Sequence, residues 1–406
     1  MSQFTCSVIA ISLSLGFAYP VLASSPAQTG LFAEANSAGT AATNPAGMTR
    51  LTGTHKEVQG IMLLSIGEFE VDNELSTKGG GDPDNELAPV VIPGFYYVSE
   101  INDDWRFGFS ANIPSGFGTS NGDDWAGRYY SDEFSLIYVA LTPAVAYKVN
   151  DKLSLGAAIS FTYNYSETTS PVNNGPNHDD AEMTFEAGAL AINTSISMLY
   201  EFNDKTRIGL IYGTEGSADL EGDIEFSGLS PRLDKEFEDR GIKDSEFTVE
   251  NIIPQRVQFG VYHELEQGDF LTFDTIWADF SQFGTGDVTF NGSEPENSEG
   301  VYNDVWVASV GYGWPVGNNK TYKVGVVHVT SAVDDDKRSF AIPLDRIWGI
   351  GAGVSIKTAE ENWDINVNLY DLGAAPIDTG NSLVRGRVVG ENKTPYAIMV
   401  DVAYHW

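Results

Sequence analysis

The chain has 406 residues, 42% of them hydrophobic, and its 23 basic against 57 acidic side chains give a formal net charge of −34 at pH 7. That charge excludes nucleic acid and anionic lipid as attractive partners, and past residue 23 no run of about 18 apolar residues could form a membrane-spanning helix. The length and composition fit two soluble domains or one large barrel, and the pattern along the chain decides for the barrel.

Residues 1–23 read as a secretion signal, with an apolar run over 8–22 and a small-residue cleavage site, Val21-Leu22-Ala23. The region before that run carries neither Lys nor Arg, an atypical start. The one cysteine, Cys6, lies inside this segment, so the exported chain would hold no thiol.

Residues 24–54 are then expected to form a compact leading segment. Within it, 30–51 is poor in charge and rich in small residues (Ala33, Ala35, Ala38, Gly39, Ala41, Ala42, Ala46, Gly47), which let a backbone pack into a confined space. Asn44-Pro45 imposes a bend, because proline fixes φ, lacks an N–H and restricts the preceding residue. By itself the segment is equally a helix or turn at a domain edge.

Over 55–406 the recurrent unit is an alternating apolar and polar stretch ended by Gly, Asn, Asp or Pro. In 363–370, Trp363, Ile365, Val367 and Leu369 point one way and Asp364, Asn366, Asn368 and Tyr370 the other. The same period runs through 106–113, 256–262 and 346–356; in the last, Gly349, Gly351 and Gly353 make a small-residue face that leaves lumen space. The chain is expected to be all-β, a transmembrane antiparallel barrel of about fourteen strands. They fall near 55–69, 88–98, 105–113, 134–149, 152–166, 182–202, 205–226, 246–264, 268–281, 301–315, 320–329, 345–357, 360–371 and 394–406.

Aromatic residues near strand ends (Tyr96, Tyr97, Trp105, Tyr129, Tyr130, Tyr147, Tyr200, Tyr212, Trp348, Trp363, Tyr370) suit girdles at two membrane interfaces. The last strand ends on Trp406, a terminal aromatic of the kind that signals barrel insertion. Asn150-Asp151 and Asn203-Asp204 suit tight periplasmic turns. The longer polar stretches 70–87, 114–133, 165–181, 227–245, 282–300 and 372–393 are expected as extracellular loops, whose carboxylates could share divalent cations with lipopolysaccharide.

The run NSAGTAATNPAGMTRL, with its Asn44-Pro45-Ala46 triplet, resembles the N-terminal hatch of the outer-membrane long-chain fatty-acid and hydrocarbon channel family (FadL-like). The resemblance extends over nearly all of the exported chain. Residues 105–160, with Pro114-Ser115-Gly116 followed by Trp125-Ala126-Gly127-Arg128, are similar to the family's third to fifth strands. IPQRVQFGVYHEL, TIWADFSQF and FAIPLDRIWGIGAGVSIK follow in the family's order.

The resemblance implies a hatch inside the lumen around Asn44, Pro45, Ala46, Gly47 and Met48. It also implies uptake of hydrophobic compounds, foremost long-chain fatty acids, by capture at the outer face of a Gram-negative outer membrane and sideways exit through a kinked strand. The kink would fall at Pro114, Gly116, Phe117 and Gly118, where proline removes a ladder donor and glycine permits a bulge; the other reading is that Pro114 ends the strand and starts a loop. Implied partners are fatty acids or hydrocarbons, outer-membrane lipid and lipopolysaccharide, and the barrel-assembly machinery. No cofactor or metal is expected.

For a ligand, Leu31, Phe32 and Met48 offer apolar contacts. The places where the family meets a carboxylate, 163–167 and 301–304, hold no Lys or Arg here. Remaining candidates are Arg128, Arg256 and Arg346, with Lys337 and Arg338, each also a candidate for a plain salt bridge. Their absence from the family positions leaves a neutral hydrocarbon open as cargo. A loop-displaying adhesin or receptor, an outer-membrane hydrolase and a general porin are further readings of such a barrel. Gly118-Thr119-Ser120-Asn121-Gly122 matches G-x-S-x-G, but a polar loop after a proline is no strand-to-helix elbow. The five histidines show no metal spacing, and 82–86 and 334–336 read as solvated acidic loops rather than calcium sites.

Overall fold

The computed structural model describes residues 29–84, 90–175, 177–241, 243, 245–283, 287–290, 296–297, 300–340, 344–358, 361–382, 385–393 and 395–406. The expected signal, 1–23, lies outside them. Fourteen antiparallel strands close into a barrel. They are β1 Thr54–Ile66, β2 Val90–Glu100, β3 Trp105–Ser120, β4 Glu133–Lys148, β5 Leu153–Val172 and β6 Ala181–Asn203. Then come β7 Thr206–Gly213 continued by Gly216–Ser227, β8 Ser245–Ile253 continued by Arg256–Glu264, and β9 Phe270–Ala278 continued by Asp287–Phe290. The barrel ends with β10 Val305–Val316, β11 Lys320–Val329, β12 Ile347–Lys357, β13 Asn362–Asp371 and β14 Tyr396–His405. Every strand pairs with its neighbours in sequence, and β1 closes on β14 in a ten-pair ladder from Glu57↔His405 to Ile66↔Tyr396.

Closure satisfies the backbone of the wall strands along most of their length, which a hydrocarbon surround demands. Period two then sorts the side chains. On β13, Trp363, Ile365, Val367 and Leu369 are exposed outward while Asn366, Asn368 and Tyr370 are buried inward. On β14, Ala397, Met399, Asp401 and Ala403 face in and Tyr396 and Trp406 remain exposed. The outward set forms the apolar band of a membrane barrel.

The aromatic girdle is smaller than the sequence suggests. Trp105, Tyr147, Tyr212, Trp348 and Trp363 are outward, but Tyr96, Tyr129 and Tyr370 are buried. Tyr96 and Tyr370 occupy the inward phase of their strands, and Tyr129 is tied to Asp180 in a loop at 2.7 Å.

Two of the expected loops begin later than read. The strand β3 runs on to Ser120 instead of stopping at 113, and β5 continues to Val172 instead of 166. In both, a backbone ladder with β4 carries the strand through residues whose side chains give no apolar face. The stretch 227–245 contains a helix, α1 Pro231–Asp239, and 372–393 is organised by a three-stranded sheet of Phe69–Val71, Ile377–Asp378 and Val389–Asn392. Phe69 thus belongs to this small sheet and not to β1. Over it packs a cluster of Phe69, Trp125 and Phe340, with Trp125 and Phe340 rings 5.0 Å apart. Gly127 is required beneath that tryptophan, because a Cβ there would meet the indole at 2.2 Å.

Candidate functional site

The leading segment, Thr29 to Leu51, touches inward-facing residues of wall strands from β1 to β10. A short helix over Thr40–Thr43 and a 3-10 turn over Pro45–Arg50 flank Asn44, whose extended backbone supplies the bend expected at Asn44-Pro45. Asn44, Ala46 and Met48 are completely buried. The Asn44 amide donates to the Phe32 carbonyl at 2.6 Å, which folds the segment back on itself.

The wall holds this segment by its backbone. Asp274 on β9 accepts the Gly30 and Leu31 N–H groups at 2.5 and 3.1 Å. Gly30 has φ +92°, a conformation that L side chains rarely adopt. Arg207 on β7 donates to the Ala33 and Glu34 carbonyls, each at 2.6 Å, while stacked 3.8 Å over the Tyr262 ring. Arg106 on β3 donates to the Leu51 carbonyl at 2.7 Å, and Ser197 on β6 accepts from Ala46 N–H at 3.0 Å. Inward glycines make the room: a Cβ at Gly209 would lie 1.7 Å from the Phe32 oxygen, and one at Gly156 would lie 2.4 Å from Ala46 N.

A second polar group lies where β1, β11, β13 and β14 meet this segment. His405 Nε2 is 2.8 Å from Asp364 Oδ2 and its Nδ1 is 3.3 Å from Glu57 Oε2. Lys323 Nζ is 3.5 Å from Asp364, and Gly39 N–H donates to Glu57 at 2.7 Å. Opposite charges in contact compensate one another's burial. Nothing in the spacing of these four residues along the chain announces the group.

Above the segment lies a cavity of about 290 Å³. Leu31, Phe32, Ile61, Ile253, Ile276 and Phe280 give it apolar walls, and Glu34, Glu57, Lys323, Asp364 and His405 give it a charged end. Arg256 and Gln258 also line it. On one side the lining is Ile92, Pro93, Asn112, Ile113 and Pro114. There the wall is incomplete. The ladder between β2 and β3 ends at Gly94↔Asn112, and among the described residues no pair joins Val90 to Pro93 with the outer half of β3. At the same level β3 bulges against β4: Asn112 pairs Ala140 and Ser115 pairs Tyr138, leaving Ile113 and Pro114 opposite Val139 alone. The strand therefore bends at Pro114 and goes on, with Gly116, Phe117 and Gly118 paired only to β4. Pro93 on the facing strand went unnoticed in the sequence, and two prolines here reduce the donors left bare.

The cationic candidates separate. Arg256 lines the cavity; Arg128 and Arg346 do not. Arg128 pairs with Asp180 at 3.3 Å in the outer loops, and Arg346 with Asp371 at 3.3 Å. Lys337 pairs with Asp334, and buried Arg338 with Asp335 and Asp345. Met48 packs with Ala41, Val98 and Ala144 rather than lining the cavity. The acidic run 334–336 is thus partly committed to ion pairs; of the run 82–86, Asp82 caps Val71 N–H at 2.6 Å, and 85–86 lie outside the described residues. Gly118 to Ser120 sit in strand, so the G-x-S-x-G match lacks the elbow its chemistry needs.

A family model described as "Outer membrane protein transport protein (OMPP1/FadL/TodX)" matches residues 22–393. The long-chain fatty acid transport protein of Escherichia coli O6:H1 is 24% identical over 98% of this chain and 96% of its own length. A Pseudomonas aeruginosa FadL homologue superposes with a TM-score of 0.82 at 18% identity, over 94% of this chain and 96% of that one. The Pseudomonas putida toluene transporter TodX superposes with a TM-score of 0.64 at 14% identity, over 90% and 93%.

Proposed function

The chain belongs to the outer membrane protein transport protein family (OMPP1/FadL/TodX), and from that premise we propose that it takes up long-chain fatty acids and releases them sideways into the membrane between β2 and β3. It is an outer-membrane β-barrel channel for hydrophobic compounds. The observation that carries the sideways route is that the unpaired stretch of wall, marked by Pro93, Ile113 and Pro114, is itself lining of the cavity. Lipopolysaccharide bars apolar solutes from the outer leaflet, and a lateral exit spares them a passage through water.

In this reading the segment 24–54 is a hatch that stops leakage towards the periplasm, with Asn44 to Met48 as its buried marker stretch. The acyl chain lies along Leu31, Phe32, Ile253, Ile276 and Phe280, and Arg256 meets the carboxylate. Segment 1–23 directs export, the β14 strand addresses the barrel-assembly machinery, acidic outer loops meet lipopolysaccharide through divalent cations, and the barrel performs no catalysis. A second reading, a neutral hydrocarbon as cargo, is favoured by the excess of carboxylates over cations at the charged end of the cavity: Glu34, Glu57 and Asp364 against Lys323 and His405.

The test replaces Pro114 and Gly116 by valine, which restores the N–H missing at Pro114 and raises strand preference at both positions. Uptake of labelled oleate should fall at least severalfold in cells while the barrel still folds and inserts. Unchanged uptake removes the lateral route. The variant Arg256→Gln separates the cargoes: it should weaken oleate binding about tenfold, as loss of one charged hydrogen bond does, and leave toluene uptake alone.

A further inference from the structure

The inner face of β5 has a feature that neither the hatch nor the lateral route uses. From the cavity outward its inward-facing residues are Ser160, Thr162, Asn164, Ser166, Thr168 and Ser170, one hydrogen-bonding side chain at every second position. At roughly 3.3 Å per residue the row spans about 33 Å. The outward residues of the same strand, Ile159, Phe161 and Tyr163 among them, are exposed and apolar. On both flanks the row is bounded by apolar side chains, Phe134 and Leu136 from β4 and Phe185 and Ala187 from β6.

The outer four members are at most 1% exposed, and Asn164, Ser166, Thr168 and Ser170 all have side-chain polar atoms with no hydrogen-bond partner. Burying such groups unpaired is costly, and an apolar side chain of the same shape would remove that cost. A separate strand aims a further group at the row. Asn251 on β8 is 2% exposed, its Oδ1 is without a partner, and its amide reaches the Tyr138 hydroxyl at 3.5 Å beside Asn164. At the inner end the row connects to the cavity through hydroxyls: Thr162 to Ser160 at 3.2 Å and Ser160 to Thr142 at 2.9 Å, the last two being cavity lining.

We infer that this row is a track for the uncharged, hydrogen-bonding head group of an amphipathic cargo, an alcohol or a protonated acid, leading from the outer loops to the cavity. The head group exchanges partners from one side chain to the next while the hydrocarbon tail slides against the apolar flanks. No member of the row is Lys or Arg, so it offers nothing to compensate an ionised head in an apolar surround. The inference rests on the uptake reading above and narrows it to the chemistry of the head group.

The experiment uses the full-length barrel in cells and two labelled probes of equal chain length, tetradecanol and tetradecane. In the Ser166→Ala, Thr168→Val double variant, tetradecanol uptake should drop about tenfold with tetradecane uptake unchanged. The thermal midpoint of the purified barrel should rise, because unpaired polar groups have been removed. Thr168→Ser, which keeps the hydroxyl, should transport tetradecanol like the wild type. Unchanged tetradecanol uptake in the double variant overturns the inference, as does an equal fall for both probes, which would mean an altered bore. If the folded wild-type barrel takes up labelled oleate but neither probe above cells lacking it, the inference is overturned; if it takes up none of the three, the uptake reading itself is.

Discussion

The seat of the leading segment on Gly209, and with it the proposed hatch, can be tested with a single methyl group. A Cβ at Gly209 would lie 1.7 Å from the Phe32 carbonyl oxygen and 2.7 Å from the Asn44 amide nitrogen. Restoring an ordinary contact requires the carbonyl to retreat by about 1.6 Å, given a van der Waals separation near 3.3 Å. The Asn44 to Phe32 bond, now 2.6 Å, cannot survive that retreat, and the neighbouring Arg207 to Ala33 bond is dragged with it. One neutral and one charged hydrogen bond together are worth about 3 kcal/mol, which shifts the ratio of seated to displaced segment roughly a hundredfold. Gly209→Ala should therefore raise single-channel conductance in planar bilayers, with frequent open events where the wild type is quiet. Gly60→Ala is the control, since a Cβ there meets nothing within 4 Å. If Gly209→Ala inserts normally and conducts no more than Gly60→Ala, the segment does not close the bore.

Three further perturbations probe other parts of the molecule. Deleting residues 24–47 should raise conductance beyond the Gly209→Ala level, because every wall contact of the segment up to Gly47 is lost at once; low, unchanged conductance would refute the plug. Arg338→Ala should loosen the outer cap by about 3 kcal/mol, the order expected for stripping a buried charge from two carboxylates and two carbonyls, read as faster protease nicking within 372–393. Asp132, in the loop before β4, is pushed up to about 6 by burial and by Glu133, Asp123 and Glu182. Its raised value means that it supports the closed loop fully below the usual 3.8 and that this support is lost as pH rises through about 6. Amide exchange across 121–132 should accordingly speed up over that window beyond the intrinsic pH effect, and Asp132→Asn should abolish the excess.

The barrel was legible because its physics is periodic: a strand such as β13 must show lipid one face and the lumen the other, and Trp363 to Tyr370 spells that out. The outer half of β3 was not, because Ser115 to Ser120 is held by backbone pairing to β4 and its composition resembles a loop. The bend at Pro114 left two readings open, and only the register against Val139 distinguishes a bulge from a strand end. Among candidate ligands, Arg128 and Arg346 could not be separated from Arg256 by type; their positions in the fold divide them. Glu57, Lys323, Asp364 and His405 escaped notice because they come from four strands far apart in the chain. A signal was available: each falls on the inward phase of its strand, where a charge inside a narrow bore must find a partner.

The ladder joining β1 to β14 pairs residues such as Glu57 and His405, separated by nearly the whole polypeptide, and the small sheet of Phe69–Val71 with Val389–Asn392 spans the same seam from outside. Contacts so remote in sequence form late, since a long loop must close before they repay it. The leading segment meanwhile has bonds to strands from β1 to β9, and it precedes all of them. During biogenesis an unsealed sheet thus offers a side door through which this segment can take its place, and sealing the last hairpin against the first locks it in. A chain whose first and last strands were forced to join early would trap its own N-terminus outside.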